Sequence, residues 1–372
     1  MRIVYVPRAD ARQMVGGDII YMMQVKKYIK PLGVEIETVT VNDLRHHGGG
    51  DVLHLTQIYQ MDVAEAALDW AQSKGMPVVI NPLFEAVLPM WFRWAIQRQP
   101  KWRYLYKACG LRLAERIYTR WQTARRFRDP AWPRQRTILQ KAHVVPNTRY
   151  ELQHLRDWFN LPDLTGPIVP LGVNVDLYGH WKPSGDQELP APLQEQCGRY
   201  ILQVGLVCMR KNQVGLLQAL ADTRDPIVFL GRPTPHEPEY YEEVRRLAAS
   251  RGNVTFIEHV DESLLPAIYG HASVHILPSW SERPGMVSLE AAASGCKVIS
   301  SNRAPIHEYL GDRAWYVDPA HPDQIRAAVH RAMQSKTPVG LRERALEFSW
   351  QNTARKLADV YSTIISEGKG PR

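Results

Sequence analysis

Short apolar runs alternate with helix-patterned stretches along nearly the whole chain, and this alternation narrows the available folds more than any other feature. Residues 3–7, 34–41, 52–55, 77–80 and 143–146 read as strands, with helices expected over 18–32 and 149–159. Gly33 stands where the first helix should stop. Such alternation predicts a parallel sheet with helices on both faces. Periodicity lapses over residues 176–198, where Pro183, Ser184, Gly185, Pro190 and Pro192 crowd together, and this stretch reads as a linker. Strands are then expected at 200–204, 227–230, 254–257, 274–277 and 297–300. Helices are expected at 214–220, 240–250, 264–270, 287–294, 322–334 and 350–365. The chain has 372 residues, enough for two α/β domains. The boundaries predicted are 1–175, a linker at 176–198, 199–348, and a terminal helical stretch at 349–372. Two open sheets joined this way put a cleft between them, and ligands in such folds bind outside the carboxyl ends of the strands.

Composition removes several alternatives. Hydrophobic residues make up 45% and charged residues 23%, the balance of a soluble globular protein. Cys109, Cys197, Cys208 and Cys296 form no Cys-x-x-Cys pair, so neither a zinc site nor a disulfide framework is expected. The thirteen histidines show no metal-ligand spacing, and His54 reads as a satisfied core or cleft residue. The first apolar run stops at Pro7 and Arg8, too short for a signal peptide. No run approaches the roughly 18 apolar residues of a membrane-spanning helix. A cytoplasmic location is expected.

Two segments carry candidate chemistry. In residues 278–295 a strand end leads into a loop with Glu282, then Pro284 and Gly285, then a helix closed by Gly295. Free N–H groups at that helix start, with the helix dipole, suit a diphosphate. Glu290 lies five residues beyond Gly285, about 7.5 Å along the helix, where a carboxylate can accept from vicinal hydroxyls. The competing reading is a capped helix with two solvated glutamates. In residues 201–212 a strand ends at Gly205, and Arg210 and Lys211 follow in the loop. Two cations there suit a diphosphate leaving group. Here the competing reading is a solvated basic pair.

With these pieces in order, the chain resembles the retaining glycosyltransferase family 4, whose GT-B fold sets two Rossmann-like domains facing each other across a cleft. Gly16 and Gly17 follow the first strand, where that family has a glycine-rich loop. Val145-Pro146-Asn147 and residues 169–173 resemble its segments ahead of the linker. Val204-Gly205, Arg210-Lys211-Asn212 and Glu282 to Glu290 follow at the family's spacing. Ser301-Asn302-Arg303, Glu308, Gly311-Asp312 and Asp318-Pro319 come next, and Trp350 opens a helix like the one that crosses back to the first domain. The resemblance is strong over 198–365 and weak over the first half. It implies that Glu290 holds a ribose, Glu282 contacts the donor sugar, and Arg210 and Lys211 hold the diphosphate. Gly285, Met286 and Val287, with Gly205 and Gly17, would line the donor, and His259 and Val260 would flank the base. Three departures stand out. Leu206 replaces an arginine common after the Val-Gly pair, Arg283-Pro284 replaces Gly-Phe, and residues 79–85 lack a sugar-contacting histidine, with Glu85 as a weak stand-in. No Asp-x-Asp motif occurs, which fits a metal-independent transfer without a cofactor. The Asn302-Arg303 and Arg-Lys-Asn variants look like a mannosyltransferase subgroup, so GDP-mannose is the first donor guess. The alternative is a catalytically weak subunit of this fold that binds a donor or a partner without turnover.

The net charge of +8 is uneven. Residues 89–141 carry 14 Lys and Arg against Glu115 and Asp129, an excess of +12, leaving −4 for the remainder. Five of the eleven tryptophans, Trp91, Trp94, Trp102, Trp121 and Trp132, lie in this segment. One reading is a helical subdomain with core tryptophans and solvated arginines. The other is an acceptor or membrane-facing lid presenting Trp91, Trp94, Trp102, Arg125 and Arg126. The expected partners are a nucleotide sugar, a glycan or lipid-linked acceptor and the anionic inner face of a membrane. Arg with Trp also suits nucleic acid, but no nucleic-acid partner is expected.

Overall fold

The structure, a computed structural model, describes residues 1–11, 13, 16–84, 88–181, 189–283 and 285–367, without the side chains of Pro89, Arg93, Trp94, Gln97 and Arg98. Glu85 and the Trp94 side chain therefore lie outside the described residues. The chain forms two compact units, Met1–Gly172 with Trp350–Arg372, and Val173–Ser349.

In the first unit, β1 (Arg2–Val6), β2 (Glu35–Thr38), β3 (Val52–Thr56), β4 (Val78–Asn81) and β5 (His143–Val144) form a parallel sheet in the order β2-β1-β3-β4-β5. Ile3 pairs with Val52 and Leu53 with Val78. β3 is buried along its whole length, as expected of a strand covered on both faces. One apolar cluster joins Leu53, Leu55 and Ile80 to Ala67, Ile138, Leu155 and Phe159 of the helices Met61–Ser73, Ala131–Lys141 and Arg149–Phe159. The helix Gly17–Ile29 packs against the terminal helix Trp350–Glu367.

A histidine and a tyrosine fasten the terminal helix to this sheet. His54 of β3 is fully buried, and its Nδ1 lies 2.6 Å from the Tyr361 hydroxyl. Burial lowers the imidazole to about 4, so it stays neutral at physiological pH. His54 is thus the core histidine expected, but only half satisfied: its Nε2 is buried without a hydrogen-bond partner among the described residues. Thr353 adds a hydroxyl bond to the Pro170 carbonyl at 2.8 Å.

In the second unit, β6 (Ile201–Val204), β7 (Ile227–Leu230), β8 (Val254–Ile257), β9 (Val274–Leu277), β10 (Val298–Ser301) and β11 (Trp315–Val317) run parallel in the order β11-β10-β9-β6-β7-β8. Successive β7 side chains alternate between two clusters, Ile227 and Phe229 into one, Val228 and Leu230 into the other. The strand order reverses between β6 and β9, and the crevice at the carboxyl ends of such a pair is where ligands enter open α/β sheets.

The expected linker needs correction. Tyr178, Leu189 and Leu193 are buried in the core of the second unit, so much of 176–198 belongs to that unit. The helices there, Val175–Tyr178 and Ala191–Gln194, are single turns, too short for a period to appear in sequence.

Tyr361→Phe should lower stability by about 1–3 kcal/mol, because His54 Nδ1 is left buried without its hydroxyl. Urea unfolding of the full chain measures it, and an unchanged midpoint would remove His54–Tyr361 as the fastening.

Candidate functional site

The carboxyl edge of β6 is shaped by two glycines. Gly205 follows β6 at φ 127° and Gly231 follows β7 at φ 144°. A Cβ on Gly231 would lie 2.3 Å from the Gly205 carbonyl oxygen. A Cβ on Gly205 would meet the Lys211 side chain at 3.1 Å. These positions let the loop after β6 fold tightly and leave room for the lysine.

Asn212 pins that loop to its neighbours. Its backbone takes φ 60°, and its buried amide donates to the Pro278 carbonyl at 3.1 Å and the Pro319 carbonyl at 3.0 Å. Loops after β6, β9 and β11 are thereby joined. Gln203 donates to the Lys211 carbonyl at 2.7 Å, and the Trp280 N–H donates to the Arg210 carbonyl at 2.8 Å. Arg303, ion-paired with Asp318 at 2.9 Å, lies over the Trp280 ring at 5.4 Å.

These supports bring together the three residues expected for catalysis. Lys211 Nζ lies 2.6 Å from Glu282 Oε1, and Arg210 contacts the same oxygen at 3.1 Å. Arg210 also donates to the Ser281 carbonyl at 3.0 Å. Lys211 is 6% exposed and Glu282 5%. Burial pushes the Glu282 carboxyl up, but Lys211 and Arg210 more than offset it and hold it at about 2. Burial lowers the Lys211 amine, against the pull of Glu282. With all three groups charged, the cluster carries a net positive charge. The readings as solvated glutamates and a solvated basic pair fail for Glu282 and Lys211, which are buried and paired.

The helix Met286–Ala293 starts from Gly285 at φ 93°, a left-handed backbone that favours glycine, and no side chain caps it. Glu290, one turn in, accepts from the Tyr269 hydroxyl at 3.0 Å. Burial raises its carboxyl to about 7, and the charge of Glu262 adds to this against the Tyr269 bond. The helix therefore presents an uncapped N-terminus and a desolvated hydrogen-bond acceptor. Val287 and Val260 border the same apolar cluster, while His259 is exposed in the loop after β8.

Gly17 belongs to the first unit, where it opens the helix Gly17–Ile29 with free space around its Cα. The basic segment is helical, as Leu88–Arg98, Pro100–Arg125 and Ala131–Lys141. Two of its expected surface residues are corrected here. Trp102 is only 7% exposed and sits in an apolar cluster with Phe92, Ala114 and Tyr118. Arg126 donates to the Trp158 carbonyl at 2.8 Å, so its guanidinium braces the fold. Arg125 lies over the Trp121 ring at 4.4 Å, and Trp91 is exposed. Tyr269, Gly231 and the clamp made by Asn212 were missed in sequence.

Residues 187–349 match the family model described as glycosyl transferases group 1. That match covers most of the second unit. The chain is 29% identical over 177 residues to the O-antigen chain mannosyltransferase B of Escherichia coli, covering 44% of this chain and 46% of that one. It is 28% identical over 247 residues to the D-inositol 3-phosphate glycosyltransferase of Corynebacterium glutamicum, covering 60% and 57%. The chain thus spans about half the length of the curated relatives it matches. The solved structure of Anabaena HepE in complex with UDP and glucose superposes with a TM-score of 0.73 at 14% identity, covering 98% of this chain and all of that one. The fold is therefore that of the GT-B glycosyltransferases, two parallel-sheet α/β units.

Among the described residues no group of three His, Cys, Asp or Glu is placed to hold a metal ion. Lys211→Met should cost about 2–4 kcal/mol, since it strips a buried carboxylate of its nearer cation. Adding Glu282→Leu should recover most of that loss. Equal stability of the single and double variants in urea unfolding would refute a buried pair.

Proposed function

We propose that the chain transfers a sugar from a nucleoside diphosphate sugar to a glycan or lipid-linked acceptor, with retention at the anomeric carbon and without a metal. The observation that carries this reading is the net-positive cluster of Lys211, Arg210 and Glu282 on the loops after β6 and β9, the pair where the strand order reverses. Lys211 and Arg210 neutralise charge as the diphosphate leaves, and the uncapped start of the helix at Gly285 and Met286 adds N–H donors. Glu290 accepts from the ribose hydroxyls. Glu282 holds both cations in place and offers its carboxylate to the donor sugar. His259 and Val260 flank the base.

GDP-mannose remains the first donor to try, supported by the mannosyltransferase among the relatives. UDP sugars stand beside it, because HepE was solved with UDP and glucose. The chain acts in the cytoplasm, at the inner face of a membrane, in the making of surface polysaccharide or glycolipid. Leu206, about half exposed on the loop after β6, favours one second reading, a weakly catalytic subunit that binds donor without turnover. A donor-hydrolysis assay separates the two readings. Turnover that survives EDTA is expected, and its abolition by chelation would overturn the metal-free mechanism.

Thermal shift with GDP-mannose and UDP-glucose should reveal the donor, since ligand bound to the folded state raises the melting point. Glu290→Ala should weaken nucleotide binding by about 1.5–3 kcal/mol with the fold intact. Unchanged calorimetric affinity would defeat the ribose assignment.

The same carboxyl sets a pH dependence. At about 7 it is protonated in acid and ionised in base, and the ionised form is the better acceptor of hydroxyls. Affinity for the intact nucleotide sugar, whose phosphate diesters do not titrate near neutrality, should rise from pH 6 to pH 8. Glu290→Gln should flatten that rise, and an equally steep profile in the variant would sink the assignment.

A further inference from the structure

The helix Pro100–Arg125 leaves helical geometry at Gly110, with φ 76° and ψ 171°. On both sides of the break one face turns into the apolar cluster of Phe92, Trp102, Ala114 and Tyr118, with Trp121 at its margin. The other face is exposed. It carries Tyr104 and Lys107 before the break, and Arg112, Leu113, Arg116, Ile117 and Arg120 after it. Positions 113, 116, 117 and 120 are three and four residues apart, so they share one side of the helix. Tyr104 is 76% exposed, Leu113 is half exposed, and Ile117 is exposed to a similar degree.

A single exposed leucine needs no explanation. Here two branched aliphatic side chains and a tyrosine lie among four cations, within a segment of +12 in a chain otherwise at −4. Other basic residues of the segment are engaged elsewhere. Arg125 and Lys101 lie over Trp121, Arg126 is bonded to Trp158, and Arg134 is paired with Glu65. Exposed Lys107, Arg112, Arg116 and Arg120 close to the aliphatic side chains match a surface that is anionic outside and apolar just beneath. Single-stranded nucleic acid would call for flat aromatic platforms, which Leu113 and Ile117 do not provide.

We propose that this face docks on anionic bilayer surfaces, with Tyr104, Leu113 and Ile117 entering the interface while the four cations meet lipid phosphates. This deepens the membrane location proposed above and replaces the buried Trp102 and the bracing Arg126 as its contacts. It stands apart from the donor chemistry, so the two are read separately.

The test is co-sedimentation of the full chain with vesicles of phosphatidylglycerol and phosphatidylcholine, against vesicles of phosphatidylcholine alone. Wild type should bind the anionic vesicles at low salt and keep a fraction bound at high salt. The variant Arg112→Glu, Arg116→Glu, Arg120→Glu should bind about a hundredfold more weakly, taking about 1 kcal/mol for each cation removed near the surface. The variant Leu113→Ser, Ile117→Ser should bind at low salt but lose the salt-resistant fraction. Both should keep the wild-type melting temperature and its shift with GDP-mannose or UDP-glucose. Wild type that treats the two vesicle types alike would overturn the proposal. So would a triple variant that binds anionic vesicles as wild type does, or a chain that binds a short RNA but ignores vesicles. Vesicle binding without any nucleotide shift would instead sink the donor reading and leave this face standing.

Discussion

Glu282 is buried where a lone carboxylate would take up a proton, yet two cations on one of its oxygens keep it ionised. That interaction fixes more than a charge. Lys211 and Arg210 sit on the loop after β6, and Glu282 sits on the loop after β9, so the ion pairs tie together the two strands between which the sheet reverses its order. Desolvation makes the buried pair cooperative, because Lys211 and Glu282 are each tolerable at that depth only while the other is present. The backbone ties around it serve the same end. Asn212 bonds the loops after β9 and β11, and Gln203 and Trp280 hold the carbonyls of Lys211 and Arg210. The side chains are thus supported from behind, which would lower the cost of binding the diphosphate proposed above.

Two carboxylates eight positions apart in sequence are driven in opposite directions by their surroundings. Glu282 is held at about 2 by adjacent cations, and Glu290 is raised to about 7 by burial beside a tyrosine. Divergent environments of this kind assign different tasks to chemically equal groups. Glu282 is a permanent counter-charge that orients Lys211 and Arg210. Glu290 is poised at neutrality, and hydroxyl donors arriving at its free lone pairs would favour its ionised form.

The α/β class and the alternation were legible because they follow from periodicity, and periodicity is local. The strand at 274–277 and the helix starting near 286 were visible for that reason. Glu282, Lys211 and Glu290 were legible as types at a spacing, but the burial of Glu282 and Lys211 was hidden, since it depends on the loops after β6 and β9 meeting. Tyr269 could not be singled out, because a tyrosine in the short helix Leu265–Gly270 carries no mark of the carboxylate it meets in another. Asn212 offered a faint signal, an asparagine between a basic turn and a helix, where a left-handed backbone is common. The stretch at 176–198 misled because prolines and single-turn helices look alike to a periodicity argument, while Tyr178 and Leu193 reveal themselves only by packing. Trp102 misled in the other direction. Its place in a segment of +12 suggested a surface, yet a helix of period 3.6 can turn one large ring inward between the exposed Lys101 and Arg103.

That same helical period separates the two tasks of the basic segment. Its tryptophans could not all be anchors, since a short helical layer with no sheet of its own needs large rings to build a core, and Trp102, Tyr118 and Phe92 supply it. Once they are inside, the residues left outside are those whose exposure the core does not require. Arginines close in sequence to Leu113 and Ile117 keep them from forming a large contiguous patch that would promote self-association. An apolar tip small enough to stay soluble, beside cations that draw it to anions, is what the proposed docking on a bilayer would use.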